Sequence, residues 1–212
     1  INEDHRIGFA YKSEVELKLE GHAEGIGFGM TPGQRDNGHM MLALPATAEL
    51  ASFHQLTKAL AVHASFNWTD WSSFEKLQAE LNTYGSHTVK VENWEDNYRF
   101  ALGATYSVNT ALTLRAGVAF DQSASVEDYR SISIPDSDRL WYSAGATYKL
   151  AENESIDFGI SYINGDSVVV TEEDALLGQL PDSLTPLVGN KDWSFTSEGN
   201  ALLVALQYNR SF

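Results

Sequence analysis

"RLWYSAGATYKL", residues 139 to 150, alternates without a break: Leu140, Tyr142, Ala144, Ala146, Tyr148 and Leu150 at the even positions, Arg139, Trp141, Ser143, Gly145, Thr147 and Lys149 at the odd ones. Successive side chains of a strand point to opposite faces, so the stretch reads as a strand with one greasy and one mostly polar side. Residues 98 to 108 repeat it, with Tyr98, Phe100, Leu102, Ala104, Tyr106 and Val108 set against Arg99, Ala101, Gly103, Thr105 and Ser107. Residues 112 to 120, 156 to 162 and 202 to 208 continue the series, the last leading in phase to Phe212. Gly103, Gly117, Gly145 and Gly159 all fall on the polar side, where glycine marks close approach of another backbone.

Earlier runs are less regular. Ile7, Phe9 and Tyr11 lead in phase to Val15, Leu17 and Leu19, and Leu60, Val62, Ala64, Phe66 and Trp68 share one side of a later run. The alternation predicts strands over 5–20, 41–54, 58–83, 88–108, 111–122, 138–150, 154–171 and 194–212. A helix over 73–82 is the alternative at that place. Tight turns near 54–57, 109–110 and 151–154 alternate with long connections at 21–40, 121–137 and 172–193 and an extension near 71–88. That is the pattern of an up-and-down meander with tight turns on one rim and large loops on the other.

The chain of 212 residues has a formal charge of −15, no cysteine and no composition break marking a linker. Such acidity argues against a nucleic-acid surface, and no disulfide or thiolate metal site is available. Charges gather in "INEDHR", "ENWED", "SVEDYR", "LAENES" and "TEEDALL", between the alternating runs. No run of about 18 apolar residues marks a helical span. The chain opens on Ile1 with no signal-like segment, so any signal peptide is expected to be removed or to lie outside this sequence.

A soluble β-sandwich would also hide one face of each strand. Three observations favour lipid. The runs reach about ten residues or more, against roughly five or six in soluble domains, and ten tilted residues cross an apolar band of about 25 Å. Aromatics sit toward the ends of the greasy rows, at Tyr98, Phe120, Tyr142, Tyr148, Tyr162 and Tyr208, as interfacial girdles do. The last run reaches a terminal Phe212, a usual ending of outer-membrane barrels. The expected fold is all-β, a transmembrane antiparallel up-and-down barrel, because only closure satisfies every backbone group in hydrocarbon. Its even-numbered rows face lipid and its glycine-bearing rows face a lumen.

"YKSEVELKLEG" (11–21), "WTDWSSFEKL" (68–77), "DNYRFALGATY" (96–106), "LRAGVAFDQS" (114–123), "RSISIPDSDRLWYSAGATY" (130–148) and "SIDFGISYINGDSV" (155–168) occur in this order. They resemble the C-terminal half of the FadL family of outer-membrane long-chain fatty acid transporters, which also includes toluene-type hydrocarbon channels. The resemblance implies a fourteen-stranded barrel plugged by an N-terminal hatch, with hydrophobic ligands taken from outside, held in the lumen and released passively. Residues 1–212 would then be the C-terminal part of one barrel domain, about the last eight strands. The hatch and first strands would be supplied by a missing N-terminal half of the same protein. The implied location is the bacterial outer membrane, with a long-chain fatty acid or other hydrophobic small molecule as ligand and outer-membrane lipid around the wall.

One ligand-binding residue carries over from the resemblance. In the family a lysine shortly before an aromatic-x-Asp-x-Tyr-Arg strand start contributes to the pocket for the ligand's acidic head; "VKVENWEDNYR" puts Lys90 there. An arginine partner is implied in the missing half. The chain departs from the pattern at Ala124, where the family often has proline, and in its long last loop, whose Leu176, Leu177, Leu180, Leu184 and Leu187 read either as a greasy landing site or as an ordinary packed loop.

Other chemistry is thin. His5, His22, His39, His54, His63 and His87 show no metal-ligand spacing, no cofactor is indicated, and no catalytic residue is assigned. Arg99, Arg115, Arg139, Asp121 and Asp157 read as a lumen charge ladder. His63 and Ser65 share the predicted lumen side, the only footing for a rival reading as an outer-membrane lipid hydrolase. A structural or adhesive barrel is a third reading. It differs from transport in predicting no acyl ligand inside.

Overall fold

The computed structural model describes residues 2–173, 187 and 192–211, and among these fourteen strands form three antiparallel sheets. In chain order they are β1 (His5–Lys12), β2 (Val15–Glu24), β3 (Arg35–Leu44), β4 (Thr47–Gln55) and β5 (Leu60–Thr69). There follow β6 (Lys76–Leu81), β7 (Gly85–Val91), β8 (Asn97–Ser107), β9 (Leu112–Asp121) and β10 (Arg139–Ala151). The series closes with β11 (Glu154–Gly165), β12 (Val168–Glu173), β13 (Asp192–Ser197) and β14 (Asn200–Arg210).

Eight strands make one sheet in the order β1-β4-β5-β8-β9-β10-β11-β14, a meander in which β1 and β14 are the two edges. Its register carries one greasy row across six strands: Phe9 opposite Leu50, then Phe66, Phe100, Phe120 and Leu140. These side chains do not meet in a dry centre. Phe9 is 71% exposed and Phe100 52%, and along β14 Leu202, Val204 and Leu206 are exposed as well. A continuous apolar surface of this size marks a face made for another apolar phase, and on strands it is the outward band of a membrane barrel wall.

The opposite face is narrow and polar. Gly103 stands directly opposite Gly117, and Gly145 opposite Gly159. A Cβ at Gly117 would lie 3.2 Å from the Leu102 carbonyl oxygen and one at Gly145 3.0 Å from that of Phe158, so a side chain there requires the facing backbone to give by a few tenths of an ångström.

The six remaining strands lie beyond the wall, as a four-stranded sheet β2-β3-β6-β7 and the hairpin β12-β13. This corrects several expected boundaries. The segments 5–20, 58–83, 88–108, 154–171 and 194–212 are each a wall strand plus an extension strand of another sheet. The connection 21–40 is largely the β2-β3 hairpin, and 41–54 is the end of β3 plus β4, divided at Pro45 and Ala46. Proline has no N–H for the ladder and restricts the residue before it, which ends β3 at Leu44. Over 73–82 the chain forms β6, preceded by a single 3-10 turn at Trp71–Ser73, and no helix. Phe212 and four of the five loop leucines lie outside the described residues. Among the described residues no helix is long and apolar enough to cross a membrane, which bears on helices alone.

Candidate ligand site at the outer mouth

Lys90 sits near the end of β7, where the four-stranded extension joins the wall. A bulge places it. Leu77 pairs with Lys90 but Gln78 with Thr88, so Val89 is an extra residue in β7, and a bulge of this kind re-aims the side chain that follows. The Lys90 Nζ donates to Glu92 Oε2 at 3.0 Å and to Ser131 Oγ at 2.8 Å, and lies 2.9 Å from Glu92 Oε1. Ser131 comes from the connection between β9 and β10, so the ammonium links two outer loops.

Glu92 is the more buried partner, with its side chain 1% exposed against 29% for Lys90. Its backbone N–H donates to the Glu75 carbonyl at 2.8 Å, and Asn93 follows with φ 40°. Asparagine tolerates this left-handed backbone better than most residues, and the chain turns back so that Trp94 Nε1 donates to Glu92 Oε2 at 3.1 Å. Trp94 packs edge-on against Trp71 and Phe74, with ring centroids 4.9 and 5.1 Å away. A carboxylate this deeply buried requires a partner of opposite charge, and Lys90 supplies it.

The rest of "WEDNYR" is structural. Asp96 accepts Trp68 Nε1 at 2.8 Å and the Ser72 N–H at 3.3 Å, bonds that hold its carboxyl below the usual carboxylate range. The top of β5 is thereby tied to the start of β8.

Below this mouth a belt of contacts crosses the inner face. The Arg6 guanidinium lies 4.2 Å over the Phe53 ring, Phe53 meets His63 edge-on at 5.1 Å, and His63 Nε2 is 3.0 Å from Thr105 Oγ1. Thr105 stands opposite Arg115. Arg115 donates to Thr147 Oγ1 at 2.6 Å, Thr147 donates to Asp157 Oδ1, and Asn209 donates to Asp157 Oδ2. The expected ladder of opposite charges is therefore realised through Thr147 for Arg115 and Asp157. Arg139 instead pairs with Asp136 of the outer loop at 2.8 Å, and Arg99 lies over Trp141 at 5.5 Å. Asp121 is opposite both Arg99 and Arg139 in register. With His63 engaged by Thr105 and Phe53, nothing pairs it with Ser65 as a catalytic couple.

A family described as Outer membrane protein transport protein (OMPP1/FadL/TodX) matches residues 1–212, the whole chain. The chain belongs to the FadL family. FadL-family relatives include Outer membrane protein P1 of Haemophilus influenzae, 40% identical over 212 residues, covering 100% of this chain and 45% of that protein. The Long-chain fatty acid transport protein of an Escherichia coli O6:H1 strain is 36% identical, with 100% of this chain and 47% of that protein covered. The chain thus spans about half the length of these relatives. Among solved FadL-type structures, a Pseudomonas aeruginosa FadL homologue superposes with a TM-score of 0.77 at 24% identity, over 99% of this chain and 50% of that one. The Pseudomonas putida toluene transporter TodX gives a TM-score of 0.57 at 18% identity, over 100% and 46%. At these identities the superpositions establish the fold: an outer-membrane β-barrel wall, present here in part. The FadL family consists of transport proteins, so the hydrolase reading falls.

The sequence placed Lys90 through the resemblance alone and missed Glu92, Trp94 and Ser131. A Lys-x-Glu-x-Trp spacing was visible, but on a regular strand it predicts a polar solvated edge. Burial of Glu92 depends on the bulge and on Asn93, which alternation does not encode.

Proposed function

We propose that this chain forms the C-terminal part of an outer-membrane barrel that carries long-chain fatty acids inward, with Lys90 contacting the ligand's head group. Lys90 carries this reading. Its ammonium meets both Glu92 oxygens and Ser131 Oγ, and a side chain 29% exposed remains open to a further acceptor. A charge-assisted donor among apolar and aromatic side chains suits a long apolar ligand with one polar end. The 36% identity to a relative named for long-chain fatty acid transport supports the same choice. An aromatic hydrocarbon has no acceptor for this ammonium, and the likeness to TodX is one of fold.

In the same reading, the edges β1 and β14 pair with strands of an N-terminal half that also supplies the hatch. The test is oleate binding to the full-length protein and its Lys90→Ala variant. A loss of affinity with the barrel still migrating in its folded, heat-modifiable form is expected; unchanged oleate affinity would remove Lys90 from the site.

A further inference from the structure

His5 and His54 are 49 residues apart in the chain, yet the register of β1 on β4 sets them directly opposite each other. Their place in the ladder brings the side chains together. The Gln55 N–H donates to the Asp4 carbonyl at 2.7 Å, which makes His5 and His54, one step along, a non-hydrogen-bonded pair, the kind whose side chains stand closest. The two exposed rings meet Nδ1 to Nδ1 at 3.2 Å, with centroids 5.4 Å apart. Asn2 holds the entry to β1, its Oδ1 accepting the N–H groups of Asp4 at 3.0 Å and His5 at 2.9 Å. The pair ends the outward row of Ile7 with Ser52 and Phe9 with Leu50, at the rim where β4 turns into β5.

We propose that His5 and His54 form a binding site for a divalent transition metal such as Zn²⁺, Ni²⁺ or Cu²⁺, which clips the edge strand β1 to β4. Imidazole nitrogens sit about 2.0 to 2.1 Å from zinc, so two of them stand about 3.3 to 3.4 Å apart on a tetrahedral ion and about 2.9 Å apart at a right angle. The observed 3.2 Å falls between these values, and both rings already aim the same nitrogen at the gap. Binding uses both Nδ1 lone pairs. The proton held between the rings moves through solvent to the Nε2 of its own ring, so both imidazoles stay neutral, and water fills the remaining positions. Imidazole suits these ions, whereas Mg²⁺ and Ca²⁺ take oxygen. The described residues hold no group of three or more His, Asp or Glu placed around one ion, so the site is a two-point clip and not a closed cage. Pairing of β1 with a further strand uses its backbone and leaves these outward side chains in place.

The test titrates Zn²⁺ into the untagged full-length protein by calorimetry, and Cu²⁺ by electron paramagnetic resonance. His5→Ala and His54→Ala are each expected to weaken Zn²⁺ binding at least tenfold and to reduce the imidazole nitrogens coupled to Cu²⁺ from two to one. A loss of less than tenfold in either variant, or an unchanged nitrogen count, overturns the proposal. Absence of Zn²⁺ binding by the wild type overturns it too, and leaves the contact as a hydrogen bond between two rings. Should an alanine variant not migrate in the folded, heat-modifiable form, His5→Asn or His54→Asn takes its place, keeping a polar group at the rim, with the same thresholds deciding.

Discussion

Asp36 in β3 accepts the backbone N–H of Thr83 at 2.7 Å, joining two hairpins 47 residues apart in the chain. The Tyr84 N–H adds a second bond to the same oxygen at 3.1 Å, and Thr83 Oγ1 donates to the other. The Thr83 N–H first, then those of Tyr84 and the Thr83 hydroxyl, hold the Asp36 carboxyl below its ordinary value. Because the folded state lowers this pKa, the stabilisation is complete above the unfolded value and is lost as pH falls through the folded one. Hydrogen exchange at Thr83 and Tyr84 should therefore accelerate in acid beyond what intrinsic chemistry predicts. In Asp36→Ala it should already be fast at neutral pH, with no further acid step. Equal protection in both proteins would refute this.

Ala144 lies mid-strand in β10 on the greasy side, opposite Ala116 and Ile160. Arginine there would face acyl chains, at a cost of about 2 to 4 kcal/mol near the bilayer centre. Ala144→Arg should impair assembly, seen as loss of the heat-modifiable band. Ser143→Arg, one residue along on the lumen side, should assemble.

Gly145 and Gly159 oppose each other but differ in surroundings: a Cβ at Gly145 meets the Phe158 carbonyl oxygen at 3.0 Å, whereas one at Gly159 meets nothing within 4 Å. Gly145→Ala should destabilise the folded barrel by about 1 to 3 kcal/mol, the range for overpacked sites. Gly159→Ala should be neutral or slightly stabilising. Urea unfolding from lipid vesicles distinguishes the two.

Asp157 joins β10 to β14 through Thr147 and Asn209. Asp157→Ala removes an acceptor from two half-buried donors, Thr147 and Asn209, the latter keeping Ser155 Oγ at 3.4 Å, at a cost of about 0.5 to 1.5 kcal/mol per lost bond. It should lower the urea midpoint without altering oleate affinity, because Lys90 lies in the outer mouth. A parallel loss of affinity would tie the belt to the ligand path.

The wall was legible because lipid imposes the simplest rule a strand can obey, one apolar residue in two. That rule located β9 and β10 to within about a residue, and assigned the faces of Phe100, Leu140 and Trp141, but it began the β8 strand at 88 where β8 starts at Asn97. It failed where a second sheet obeys it too. Leu17 and Leu19 of β2 keep the phase of Ile7 and Phe9 because they pair with Leu42 and Met40 on one side of the extension. Alternation therefore ran through a boundary that Ser13 and Glu14 mark only by leaving the ladder. Of the four residues that meet at the candidate site, the sequence pointed to Lys90 and not to Glu92, Trp94 or Ser131. The site's geometry comes from the unpaired Val89 and the left-handed Asn93, and neither residue type announces such a conformation in this context.

The two unpartnered borders of the eight-stranded sheet bear on how such a protein reaches its place. Each of β1 and β14 presents a row of amide hydrogens and carbonyls that oil does not solvate and that a stranger's strand would readily take up. Produced by itself, this stretch should accumulate as insoluble aggregate rather than enter bilayers. Stable residence there should require that both borders be paired, as in a closed ring.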